Sequence, residues 1–283
     1  MHGGSEPVRA TFWLLDAPDS LAEQSRRNLD GFGLGTFTAG GTPKVVKGAV
    51  AAHEDEAFAR RAREECSTTY NAHVRFRSTG PVAFENTHPF EQDGRLFGHN
   101  GVIDGLAELE EQLGDHLRLV GGDTDSERLF ALITKEIEAA GGDVGAGIEA
   151  ALTWVVATLP VYSLNFVLTT PDEVWALRYP EHNPLLVLWR GAGGPSGERQ
   201  LDHASVAGTV RVRAGELSER PAVVIASERM DEDPGWRSLW SGELLRVDAR
   251  LRMESRILLP DPPAHPLDLE VLSAEAAASQ AQP

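Results

Sequence analysis

NAHVRFRSTGPVAFENTHPF, residues 71–90, is followed within a few positions by GHNG at residues 98–101. His73, His88, His99, Arg75 and Arg77 thus crowd into one part of a chain whose formal net charge is −17. On a strand over 70–77, Arg75 and Arg77 face one side and can hold a carboxylate or phosphate in bidentate fashion. The plainer reading is a surface ion pair with one of the many acidic side chains. Asn100 offers an amide donor and Gly101 a backbone N–H open to close approach, which is the composition of an oxyanion hole. Here the plainer reading is an Asn-Gly turn after a short strand at 96–99. Asn86-Thr87-His88-Pro89 reads as a rigid turn with a buried, satisfied histidine. Thr124-Asp125-Ser126-Glu127 reads as a helix start with Asp125 as a capping-turn carboxylate.

Outward from this stretch, composition narrows the function classes. A chain of 283 residues with 41% hydrophobic content buries a real core. The negative charge repels phosphate backbones, so nucleic acid is not an expected partner. The longest apolar runs, 154–159 and 185–189, fall far short of the roughly 20 residues of a membrane helix. The first ten residues are polar and glycine-rich, unlike a signal peptide, and a cytoplasmic location is expected. Cys66 is the single cysteine, so no intrachain disulfide or multi-cysteine zinc site is available. It is expected to close a helix as a small buried hydrophobe. CxxC, GxxxxGK[ST] and HExxH are all absent, and neither metal nor organic cofactor is expected.

Hydrophobic periodicity predicts helices over 17–28, 53–65, 124–140 and 144–159, with Asp19 or Ser20 capping the first. Strands are predicted over 31–37, 45–51 and 70–77, and six more strand-like runs follow Pro160. Strands, then helices, then many strands argue for an α+β fold with antiparallel or mixed sheets under helices. No polar linker separates the halves near Pro160, so one layered domain is expected over 1–258. Residues 259–283 read as an extended, disordered tail.

Taken in order, DGFGLGTF (30–37), AHVRFRSTG (72–80), NTHPF (86–90), HNG (99–101) and TDSE (124–127) resemble the class II glutamine amidotransferases. VVIASERMDEDPGWRSLWSGELLRV (223–247) resembles the closing hairpin region of the compact, stand-alone bacterial members. The resemblance covers roughly 8–250 and implies a four-layer αββα sandwich of the N-terminal-nucleophile hydrolase type. It implies that Arg75 binds the α-carboxylate of a glutamyl group, that Asp125 binds its α-ammonium, and that Asn100 and the Gly101 N–H stabilise the tetrahedral oxyanion. Ser78, Thr79, His88 and His99 are expected at the substrate, with Asp30, Gly31 and Gly33 shaping the pocket. The expected reaction is cleavage of the γ-amide of glutamine or of a γ-glutamyl compound. It is similar to that of the γ-glutamyl hydrolases of ergothioneine or glutathione metabolism, with a partner synthase or peptidase subunit as an alternative setting.

Such enzymes begin with a cysteine whose thiolate attacks the amide and whose free α-amine is the base. This chain begins Met1-His2-Gly3. Cys66 lacks a free α-amine and cannot substitute. Two readings remain. Met1 lies inside the strand that carries the cysteine in relatives, the start being truncated, or the chain is a pseudoenzyme that binds γ-glutamyl compounds without hydrolysing them.

Overall fold

In a computed structural model, residues 1–75, 83–192, 202–204, 211–213 and 220–280 are described. After a helical turn at Phe12–Asp16 the chain forms α1 (Leu21–Gln24), β1 (Phe32–Phe37), β2 (Pro43–Gly48), α2 (Glu56–Glu64) and β3 (Asn71–Val74). A hairpin of β4 (Phe90–Gln92) and β5 (Arg95–Ile103) leads into α3 (Leu106–Leu113), α4 (Asp125–Ala139) and α5 (Val144–Thr158). Next come β6 (Pro160–Thr169), β7 (Val174–Leu177), β8 (Leu186–Arg190), and the pair β9 (Asp202–Ala204) and β10 (Arg211–Arg213). The remaining strands are β11 (Ala222–Ala226), β12 (Arg237–Ser238), β13 (Glu243–Val247), β14 (Met253–Ile257) and β15 (His265–Pro266), before α6 (Ala274–Gln280).

Two sheet layers stack between two helical layers. The second sheet runs β14-β13-β7-β6-β5-β4, antiparallel throughout, with β15 added parallel to β6. The first layer has two three-stranded parts, β2-β1-β3 and β11-β8-β12. His2 bridges them, pairing antiparallel with Thr69 on one side and Val223 on the other. The α+β sandwich expected from the sequence is therefore the observed architecture.

Alternation along each strand assigns the layers. Val187 and Val223 join Val174, Ala176, Leu245 and Val247 between the sheets. Their neighbours Leu188 and Val224 face outward onto Phe12, Trp13, Met230 and Trp236. Phe97, Leu164, Phe166 and Leu168 face the opposite way, onto Leu129, Phe130, Ile133, Ile148 and Leu152 of α4 and α5. In β1, Phe32 and Leu34 pack toward Phe58 and Ala62 of α2, and the intervening glycines let the other layer in. A Cβ on Gly33 would lie 1.8 Å from the His88 carbonyl oxygen, and one on Gly35 2.6 Å from Leu96 Cδ1.

Several sequence expectations are corrected. The first helix spans only Leu21–Gln24, because Ser20 supplies the cap by accepting from the Glu23 N–H. The strand expected to end at His99 continues to Ile103, so Asn100 and Gly101 lie within β5 and not in a turn. The hairpin turn is instead Asp93-Gly94, both at positive φ (49° and 75°). Cys66 is exposed, because the chain leaves α2 at Glu65 in extended conformation. Within the segment from 259, β15 pairs with β6, and α6 buries Ala276 against Val102 and Tyr162. None of the described helices is long and apolar enough to cross a membrane.

Candidate active site

A cavity of about 260 Å³ opens between the two sheet layers. Its lining includes every residue from Tyr70 to Arg75 and from Val224 to Glu228. Successive residues of a strand point to opposite faces, so a cavity touched by all of them runs along strand edges rather than over one face. It is a slot between β3 and β11, with Met1 at one end: Met1 N donates to the Tyr70 carbonyl at 2.9 Å, and Tyr70 N donates back to Met1 O at 2.8 Å. The opposite wall comes from β5 and β6, through Gly98, His99, Asn100, Gly101 and Asn165.

Arg75 is 4% exposed at the end of β3. Its backbone is fixed on both sides by the turn before β1: Arg75 N donates to Gly31 O at 2.8 Å, and Asp30 N donates to Arg75 O at 3.0 Å. Asp30, Gly31 and Gly33 do not line the cavity; the first two hold Arg75 and Gly33 makes room for His88. His88 does line it, its ring tilted 35° to that of His73 at 4.4 Å and edge-on to Phe90 at 4.6 Å. Neither ring nitrogen of His88 has a hydrogen-bond partner among the described residues, against the satisfied histidine expected. Arg77, Ser78 and Thr79 lie outside the described residues.

His99 is 3% exposed and is held at both nitrogens. Nε2 lies 3.3 Å from the Ser163 carbonyl, which can only accept, so this nitrogen carries the proton. Nδ1, 2.9 Å from Ser126 Oγ, then accepts the hydroxyl proton. Burial holds all three imidazoles below their ordinary pKa: His73 falls to about 4, His88 well below normal, and His99 is lowered against the pull of Asp125. The three imidazoles are therefore neutral at pH 7.

Asp125 is 1% exposed at the first position of α4, and its Oδ2 accepts from Ile103 N at 2.9 Å. The helix cap is Thr124, whose Oγ1 accepts from Glu127 N. Thr124 and Ser126, not Asp125, reach the cavity lining. Asn100 and Gly101 stand opposite Asn165 and Leu164 across the β5–β6 ladder. A Cβ on Gly101 would lie 1.9 Å from the Ser163 carbonyl oxygen, so close approach is what demands glycine there.

The structure thus gathers Arg75, His88, His99, Asn100 and Gly101 on one cavity. It adds polar residues that sequence reasoning missed: Asn71, Asn86, Asn165, Asn183 and Gln280. Asn71 Nδ2 donates to the Val167 carbonyl at 3.0 Å, and Asn165 Nδ2 donates to the Asn183 carbonyl at 3.0 Å. Asn71 and Asn86 lie in the quoted stretch, but the others are scattered over the chain, where no spacing could flag them. Among the described residues, no group of three His, Cys, Asp or Glu is placed to hold a metal ion.

Comparison with known proteins converges on one family. The family "Glutamine amidotransferases class-II" matches residues 19–254. The Saccharomyces cerevisiae "Probable glutamine amidotransferase DUG3" is 29% identical over 161 residues, 50% of this chain and 45% of its own length, so this chain spans less than half of that relative. A glutamine aminotransferase class-II domain protein from Silicibacter pomeroyi superposes with TM-score 0.55 at 22% identity, covering 82% of this chain and 92% of that one. Glutamine phosphoribosylpyrophosphate amidotransferase from B. subtilis gives TM-score 0.58 at 18% identity, over 86% of this chain and 46% of that enzyme.

Proposed function

Because this chain belongs to the class II glutamine amidotransferases, we propose that its cavity binds the glutamyl group of glutamine or a γ-glutamyl amide and that the family site cleaves the γ-amide. The observation that carries this reading is the course of the cavity, which follows two facing strand edges up to Arg75 with Asn100 and Gly101 on its other wall. Arg75 takes the α-carboxylate by paired hydrogen bonds in a site shielded from water. Asp125, set behind the Thr124 and Ser126 that line the cavity, supplies the negative charge that attracts the α-ammonium. Asn100 and the Gly101 N–H meet the oxygen on which negative charge develops, each contributing about 10² to 10³ in rate. The neutral histidines leave Arg75 uncontested as the cation at the carboxylate.

The nucleophile fits the slot. In the antiparallel register His2 faces Thr69, so each step back from His2 is a step forward from Thr69. An extended segment preceding Met1 would place its fifth residue opposite Arg75, while its first four face Ile225 to Glu228 of the other edge. A cysteine at that fifth position, as the first residue of a mature chain, has its free α-amine as base. Its sulfur attacks the γ-carbonyl carbon, the C–N bond breaks, and the thiol proton leaves on the amine. Water then cleaves the thioester to release glutamate and restore the thiol.

The experiment is a glutamate-release assay on this chain extended by five residues beginning with cysteine, beside the same extension beginning with alanine. Release by the first alone is expected. Equal, background-level release by both, with both folded, contradicts the reading.

A further inference from the structure

The C-terminal segment reaches the same cavity. β15 anchors it beside the start of β6, and Ala276 of α6 seats on Val102 and Tyr162 with Leu267 and Leu272 at the edge. Ser279 and Gln280 thereby join the cavity lining. Gln280 is 8% exposed, and its Oε1 accepts from Asn183 Nδ2 at 2.6 Å while its Nε2 donates to Ser279 Oγ at 3.2 Å. The Asn183 carbonyl accepts from Asn165 Nδ2 at 3.0 Å, and Asn165 stands opposite Asn100 in the β5–β6 register. A connected set of carboxamides therefore runs from the end of α6 to the neighbour of the oxyanion donor. It lies on the second-sheet wall, whereas Arg75 stands at the edge of the first layer.

We propose that α6 is a specificity strap: docked through Gln280 on Asn183, it limits what can extend beyond the γ-amide. This inference rests on the γ-glutamyl reading above. With the α-carboxylate held at Arg75 and the amide carbonyl at Asn100, the group on the amide nitrogen runs toward Asn165, Asn183 and Gln280. Glutamine, whose leaving group is ammonia, fits with the strap docked. A γ-glutamyl peptide requires α6 to lift. The strap is built to do so, since its seven residues bury only Ala276 and Gln280, and elements with few buried apolar contacts open at low free energy. Gln280 and Ala276 act by position and touch no reacting atom.

The test is calorimetric binding of L-glutamine and of reduced glutathione, whose γ-glutamyl group carries a dipeptide, to the full chain and to Gln280→Ala and Ala276→Asp. The second variant places a charge on the apolar Val102 and Tyr162 seat and undocks α6 by an independent route. If the strap is docked in about nine molecules of ten, both variants tighten glutathione about tenfold relative to L-glutamine. Glutamine binding with an unaltered glutathione affinity in both variants overturns the strap alone. Failure of all three proteins to bind either compound overturns the γ-glutamyl reading and the strap with it.

Discussion

In the proposed γ-glutamyl reading, Arg75 is the residue on which the site turns. Its guanidinium is almost wholly removed from solvent, and its backbone is pinned by Asp30 and Gly31. Arg75→Ala is expected to weaken L-glutamate binding by about 10²-fold, the loss of charge-assisted hydrogen bonds worth roughly 3 kcal/mol. Arg75→Lys is expected to recover little, because an ammonium lacks the planar fork. At Gly101 the expectation concerns folding: a methyl group 1.9 Å from the Ser163 carbonyl oxygen forces β5 and β6 apart. Gly101→Ala should therefore lose the cooperative unfolding transition seen by circular dichroism; a thermal midpoint equal to that of the parent would contradict this packing. The sequence pointed to Gly101 through its neighbour Asn100 but suggested a turn as the plainer reason for the glycine. A glycine required by a tight turn and one required by an approaching backbone look alike until the partner strand is known.

Among the elements, β3, the 83–89 segment and β5 bring three neutral imidazoles together. Their folded-state pKa values lie below that of an unfolded histidine, 6.5, with His73 at about 4. Between these limits the unfolded chain binds protons that the folded chain refuses, so this contribution to stability is lost as pH falls from about 6.5 toward 4. His73→Gln should flatten the fall in thermal midpoint over that window relative to the parent, since carboxylate effects common to both proteins cancel. Identical slopes would show that His73 titrates normally. Helices α4 and α5 were legible to within a residue or so because fifteen-residue amphipathic runs with Thr124 and Asp143 caps leave little choice. The α3 helix, the β4 strand and the docking of α6 were not. Each is short, and each is fixed by a surface elsewhere in the chain: the α4 face, the β5 edge, and the Val102–Tyr162 seat.

At the scale of the whole molecule, the first layer is held together where His2 joins Thr69 and Val223, and beyond it the edges of β3 and β11 face each other across the slot. A strand added there would pair on both sides, and burying backbone groups with partners is favourable where leaving them unpaired is costly. The five-residue extension is accordingly expected to raise the thermal midpoint by several degrees, read by scanning calorimetry. Equal midpoints would mean that the slot is not a strand site. The layered α+β architecture was legible from the order of its elements, while the slot emerges only when both strand edges are placed in space.

The most direct measurement of the central claim is a calorimetric titration of L-glutamate into this chain and into Arg75→Ala at pH 7. Saturable binding that weakens by about 10²-fold in the variant is the predicted result. No binding to the parent, or equal affinity in the two proteins, would contradict the assignment of this cavity to a γ-glutamyl group.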